Sequence, residues 1–235
     1  MRRRRAFTVL ELLVVVAILA TLAGGLVASM DDVQAQASVE IARADLATIR
    51  DAVRRFRADT GFLPKQGPFR LIADGGLVAT PDGEDPNWFH SPANLSQLYL
   101  APVDGMGDAV NPWSPTRRRG WNGPYLSRSV VGAVALNDGL APTGVGGGFE
   151  DGVAITAPVP GAADPFSLGS GFTWTFPTSG DSATLGAPYL LFDLDDPTRA
   201  RVVSAGADGI YTPLSVADGR LVEPGSDDLG LHLVQ

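Results

Sequence analysis

The sequence predicts an α+β protein: one long amino-terminal helix, its first half apolar enough for a membrane, followed by a carboxyl-terminal antiparallel β-sheet. Three observations predict it. Residues 7–30 form a mostly apolar run whose only charge is Glu11, and no proline interrupts the chain from Phe7 to Asp59. The run stops at Thr60 and Gly61 with Pro64 close behind, and glycine and proline are what ends a helix. From Tyr125 onward, β-branched and aromatic residues gather in short runs between Gly, Pro and Asp, the signature of strands and turns.

The helix is justified in two pieces. At ~1.5 Å per residue, the 7–30 run is long enough to cross a hydrocarbon core of about 30 Å. Arg2, Arg3, Arg4 and Arg5 precede it, which places the amino end in the cytoplasm and the rest outside it by the positive-inside rule. The competing reading is a cleavable secretory signal, with the arginines as its n-region and Ala28 and Ser29 near the cut. The apolar run exceeds the usual ~7–15 residues of such a signal, and Glu11 would be a needless cost in it. Beyond Met30 the helix turns amphipathic. Val33, Ala37, Ile41, Ala44, Ile49, Val53 and Phe56 recur every three to five residues among charged ones, and Asp51 and Arg55 stand at i,i+4.

Region 61–124 is rich in Pro, Gly, Asp and Asn, hence turns and loops, with one short helix expected over 95–100. The β region, 125–235, contains "YLSRSVVGAVAL", "FTWTFP" and a hairpin, with strands at 189–194 and 199–204 around a turn at Asp195, Asp196, Pro197 and Thr198. Between the first two lies "GLAPTGVGGGFEDGVAITAPVPGAADP", expected as an inserted or exposed loop.

Composition narrows function. The chain has 235 residues, 45% of them hydrophobic and 19% charged, with 28 Gly and 18 Pro. That is enough apolar material for a core and too many turn formers for a helical bundle. Taking the four leading arginines from the 18 basic residues leaves 14 against 26 acidic ones, a net −12. An acidic body is poorly suited to phosphate contacts, so no nucleic-acid partner is expected. With no cysteine, disulfide frameworks, thiolate metal sites and Cys nucleophiles are excluded.

The stretch Ala6-Phe7-Thr8-Val9-Leu10-Glu11-Leu12-Leu13-Val14-Val15-Val16 resembles the class III signal of type IV pilins and type II secretion pseudopilins, with Ala6 where the family usually has Gly. The resemblance implies that a prepilin peptidase cuts between Ala6 and Phe7 and methylates the new amine of Phe7. It implies a pilin fold, divided into a leader at 1–6, a transmembrane and filament-core helix at 7–30, its amphipathic continuation at 31–60, a variable loop region at 61–124, and the sheet with its insertion and terminal loop at 125–235. Within it, Glu11 would meet the positive amino terminus of a neighbouring subunit, so that two groups costly in an apolar setting neutralise each other and fix the stagger. "GWNGPYL", at 120–126, has a near match in the major pseudopilins. Trp121 and Tyr125 read equally well as packing between helix and sheet.

"VVSAGADGIYTPLSVADGRLVEPGSDDLG" resembles the calcium loop of major pseudopilins, the match falling on Ser204, Gly206, Asp208, Gly209, Asp227 and Asp228. Calcium takes six to eight hard oxygens, so the resemblance implies Ca2+ held by Asp208, Asp227 and Asp228 with Ser204 nearby. Asp218 is a rival ligand, and turns without any ion are the alternative.

Other chemistry is not found in the sequence. The segment beginning Asp193, Asp195, Asp196 starts like an EF-hand and fails at Pro197 and Ser204. There is no Gly-x-Ser-x-Gly, Walker loop or His-Glu-x-x-His. His90 and His232 are solitary. Arg117, Arg118 and Arg119 form a basic run, expected as a solvated loop or as a contact to an acidic patch of a neighbouring subunit. By resemblance the chain is a structural subunit and not an enzyme: a type II secretion pseudopilin, single-pass in the inner membrane, with a cytoplasmic amino terminus and a periplasmic or other extracytoplasmic domain. Its implied partners are the prepilin peptidase, copies of itself and other pseudopilins, the inner-membrane assembly platform and the lipid bilayer. A minor type IV pilin or competence pilin is the alternative, and a membrane-anchored enzyme or binding domain a more distant one.

Overall fold

The computed structural model describes residues 9–70, 78, 91–126, 130–135, 158–166, 173–175, 182–183, 188–207, 211–212, 214 and 220–234. For 23, 25–32, 130–135, 158–160, 173–175 and 182–183 the description is of the backbone alone. The chain divides into two compact units, Met1–Ser38 and Val39–Gln235. The first contains the start of helix α1, Val9–Thr60. Along 9–22 its large apolar side chains are all exposed, from Val9 at 85% to Val14 at 49%. Consecutive residues share this exposure, so the apolar surface is no single stripe. Among the described residues no helix is long and apolar enough to cross a membrane. The span expected over 7–30 extends beyond the side chains described.

In the second unit α1 supplies one wall of the core. Ala42, Leu46, Ile49, Val53, Phe56 and Thr60 are buried at spacings of three and four, one stripe of an α-helix. This corrects the face expected from sequence. Ile49, Val53 and Phe56 belong to it, whereas Val33, Ala37, Ile41 and Ala44 are exposed. The helix ends as expected at Gly61, whose φ of 86° suits glycine and whose amide donates to the Arg57 carbonyl at 2.8 Å.

Strands β5 (Leu190–Phe192), β6 (Arg201–Ser204) and β7 (Leu229–His232) form an antiparallel sheet in the order β5-β6-β7. The hairpin pairs Leu190 with Val203 and Phe192 with Arg201, in the place expected and with shorter strands. At its turn Asp196 Oδ1 accepts from Thr198 N and Oγ1 at 2.9 and 2.7 Å. The α1 stripe and Leu190, Leu191, Val202, Val203 and Leu233 share one core. Tyr189 donates its hydroxyl to Asp45 at 3.1 Å, and Arg54 Nε donates to the Leu233 carbonyl at 3.2 Å. A helix packed on a three-stranded antiparallel sheet is the expected α+β arrangement.

A second sheet has the order β2-β1-β3-β4, from β1 (Val130–Ala135), β2 (Pro158–Gly161), β3 (Thr173–Thr175) and β4 (Ser182–Ala183). β2 lies inside the Gly-rich stretch expected as a loop and pairs with β1, Val131 opposite Pro160. The end of that stretch is therefore part of the fold, with Asp164 and Phe166 buried.

The middle region is held by side chains. Helix α2 is Ser96–Tyr99, within the expected 95–100. Gln97 Oε1 accepts from Lys65 N at 2.7 Å and its Nε2 donates to Phe69 O at 2.9 Å. Trp121 Nε1 donates to Gln97 O at 2.8 Å. Tyr125 is buried edge-on to Phe56, centroids 5.4 Å apart, and Trp121 stands edge-on to Tyr125 at 5.7 Å. The packing role read for Trp121 and Tyr125 is the one they fill.

Candidate functional site

Two places carry the expected chemistry. At the amino terminus Glu11 lies in the first turn of α1, exposed among exposed Leu10, Leu12 and Leu13. Its apolar surroundings are not a setting in which charge is cheap. The processing residues Ala6 and Phe7 lie outside the described residues.

At the carboxyl end the structure seats the turn that follows Ser204 against Asp227, and Ser204 pairs across the sheet with Leu229, the residue after Asp228. Gly206 has φ 68°, and a Cβ there would stand 2.4 Å from the Asp227 carbonyl oxygen and 2.7 Å from its carboxyl carbon. The turn after β6 is thus seated on Asp227, and only glycine permits that approach. Asp228 is buried and its Oδ2 accepts from Thr212 N at 3.1 Å. Ser204 is fully buried. Its hydroxyl donates to Asp164 Oδ2 at 2.6 Å and accepts from Gly206 N at 3.3 Å. Among the described residues no group of three or more His, Cys, Asp or Glu is placed to hold a metal ion. Asp208 and the rival Asp218 lie outside them.

A buried polar chain links this loop to the hairpin. Asp193, at φ 52°, forms an ion pair with Arg201, both nearly inaccessible, and Arg199 Nη2 stands 3.8 Å from the same carboxylate. Arg201 Nη2 donates to the Tyr211 hydroxyl at 3.2 Å, and its guanidinium lies 5.2 Å from the Phe192 ring centre. Tyr211 stacks on Phe192 at 4.6 Å. Burial raises the Tyr211 phenol above its ordinary range, against the lowering by Arg201. The chain runs from Asp193 through Arg201 and Tyr211 to Thr212 and Asp228, so the hairpin positions the loop.

Sequence reading missed Asp164 because it sits in a stretch read as loop, and it weighed Asp193 only as an abortive EF-hand start. The buried pairing of Asp193 had one legible sign, the arginines eight and six residues on at positions 201 and 199. His232 stands in β7 opposite Arg201 and joins no cluster among the described residues, and His90 lies outside them. Arg117, Arg118 and Arg119 are exposed in a tight turn closed by Ser114 N donating to Arg119 O at 2.8 Å.

Residues 1–27 match the prokaryotic N-terminal methylation motif, and this class III signal supports a type IV pilin-like protein. No curated protein and no solved structure matches the chain. The match is confined to the amino-terminal segment that contains Ala6, Phe7 and Glu11.

Proposed function

We propose that the chain is a structural subunit, a pseudopilin of a type II secretion system, anchored in the inner membrane and polymerising into a periplasmic filament whose growth drives protein export. The observation that carries this reading is the methylation motif at 1–27 continuing into a helix with apolar side chains exposed along 9–22. A helix apolar on all faces is a membrane span or the interior of a bundle, and a filament subunit needs both in turn. Prepilin peptidase hydrolyses the bond between Ala6 and Phe7 and methylates the freed amine.

Glu11 supplies the selectivity. A carboxylate in the bilayer costs about 2.5–3.5 kcal/mol on insertion scales. The amino terminus of a correctly staggered neighbour removes that cost, so assembly in register is favoured over assembly out of register. Glu11→Leu tests this: the variant is expected to insert and be cleaved while sheared filaments are lost. Filaments at the unsubstituted yield would overturn the role of Glu11.

The Ser204 to Asp228 region favours the secretion branch, and we propose it as a Ca2+ site with carboxylates from Asp208, Asp227 and Asp228 beside Ser204. The support is the seating of the Gly206 turn on Asp227, which joins two of the sequence segments needed. Bound calcium would offset the charge of the carboxylates that ligate it. Chelation is expected to lower the melting temperature, and identical melts in chelator and in excess calcium would remove the ion from the account. One observation favours a minor pilin-like subunit: the second, four-stranded sheet is more than the compact domain implied by a major subunit.

A further inference from the structure

Two surfaces of the Val39–Gln235 unit are complementary in charge. The first is a tip. A bridge between Val103 and Ala109 closes it, and Asp104 Oδ1 accepts from Met106 N and Asp108 N, both at 2.9 Å. Met106 at its apex is 91% exposed, with Asp104 and Asp108 on either side. The second is an open cleft of about 630 Å3 lined by Thr60, Phe62, Pro68, Asn111, Arg117 and Arg119. Arg119 lies along the end of α1, its Nη1 2.5 Å from where a Gly61 Cβ would be. Gly120 N donates to Asp59 O at 2.9 Å, fixing the basic turn to the helix.

Several arginines of the unit are already neutralised by a carboxylate. Arg43 pairs with Glu40, Arg50 with Asp51 and Arg201 with Asp193. Among the described residues Arg117 and Arg119 make no ion pair. Copies of a chain with net charge −8 repel one another, so a lateral contact needs cationic surface that the chain has not already neutralised.

We propose that the Met106 tip of one copy docks in the Arg117 and Arg119 cleft of the next. The inference rests on the filament reading above. The Met106 thioether fills the gap beside Phe62, a favourable sulfur–aromatic contact, and Asp104 and Asp108 meet the guanidinium groups. The turn bonds hold the tip in shape before contact, which lowers the entropic cost of docking. Because tip and cleft are different patches, the contact is head-to-tail, and each copy added leaves one cleft open for another.

The chain has no cysteine, so cross-linking in the membrane-assembled full chain reads the contact directly. Copies carrying Met106→Cys are mixed with copies carrying Phe62→Cys or, as a second cleft position, Asn111→Cys. A disulfide-linked dimer is expected in the mixtures and in no single-variant preparation. Asp104→Arg with Asp108→Arg on the tip copy is expected to cut the yield about tenfold, the change that ~1.4 kcal/mol produces. Arg117→Glu with Arg119→Glu on the cleft copy should restore it. A parallel cysteine scan over 12–22 reports helix-to-helix assembly independently of the loops. Helix cross-links without tip-to-cleft ones overturn the docking and leave the filament reading standing. Absence of both overturns the filament reading and the docking with it. Cross-linking of Met106→Cys to itself alone overturns the head-to-tail form.

Discussion

Ser204 and Asp164 are forty positions apart in sequence, yet the Ser204 hydroxyl donates to the Asp164 carboxylate over 2.6 Å with both side chains buried. The bond ties the last residue of β6 to the segment that follows β2. Asp164→Ala would leave the buried hydroxyl without its acceptor, a loss of about 1–3 kcal/mol. Thermal unfolding of the detergent-solubilised chain should show the drop, and Ser204→Ala paired with Asp164→Ala should cost less than the sum of the two changes. Additive losses would mean that the bond does not bind the two segments.

The ion pair of Asp193 and Arg201 makes a sharper prediction. Arg201→Met leaves the Asp193 carboxylate buried, with Arg199 at 3.8 Å as its remaining cation. Removing one partner of a buried pair costs about 3–5 kcal/mol. Adding Asp193→Asn to Arg201→Met should recover part of the loss, measured as the midpoint of denaturant unfolding. No recovery would show that Arg201 matters through Tyr211 and Phe192 instead of through Asp193.

Lys65 sets a dependence on pH. The residue is half-buried overall, but its ammonium is enclosed and donates to the Ser91 carbonyl at 2.6 Å, and burial lowers its pKa from 10.5 to about 7. The unfolded chain then binds more protons than the folded one between about pH 7 and 10.5, so stability rises with pH through that window. Tyr125 acts in the opposite sense above it, because burial raises its phenol from 10.0 to about 12 and the unfolded chain loses that proton first. Melting temperature should climb from pH 6.5 to about 9.5 and fall beyond pH 10. In Lys65→Met the climb should flatten, with the gain in stability full below about pH 7 and fading as pH rises toward 10.5. An unchanged climb would assign it to other groups.

What the sequence revealed, and what it hid, follows from how each signal arises. The long helix and its stop at Gly61 were legible because apolar content, the absence of proline and a terminal glycine all agree. The hairpin was legible from its β-branched runs around Asp196 and Pro197. The helix face was misjudged over 33–44 because alanines carry little contrast: Ala42 is buried and Ala44 exposed, and only the sheet beneath decides between them. Strand β2 was hidden because Pro158 and Pro160 read as breakers, and prolines fit a sheet only at edges, where β2 lies. β7 was hidden inside a stretch read as a terminal loop. At the candidate site the sequence singled out Ser204, Asp227 and Asp228 as ion ligands. Asp164, the carboxylate that accepts from the Ser204 hydroxyl, was not among them, since a partner forty residues away leaves no local pattern.

The central claim is that the amino terminus is a processed filament signal. Its most direct test is the intact mass and amino-terminal sequence of the membrane-extracted chain, expressed with and without a prepilin peptidase. The account predicts a chain that starts at Phe7 with one added methyl group only when the peptidase is present. A start near Met30, or an intact Met1 under both conditions, would contradict it.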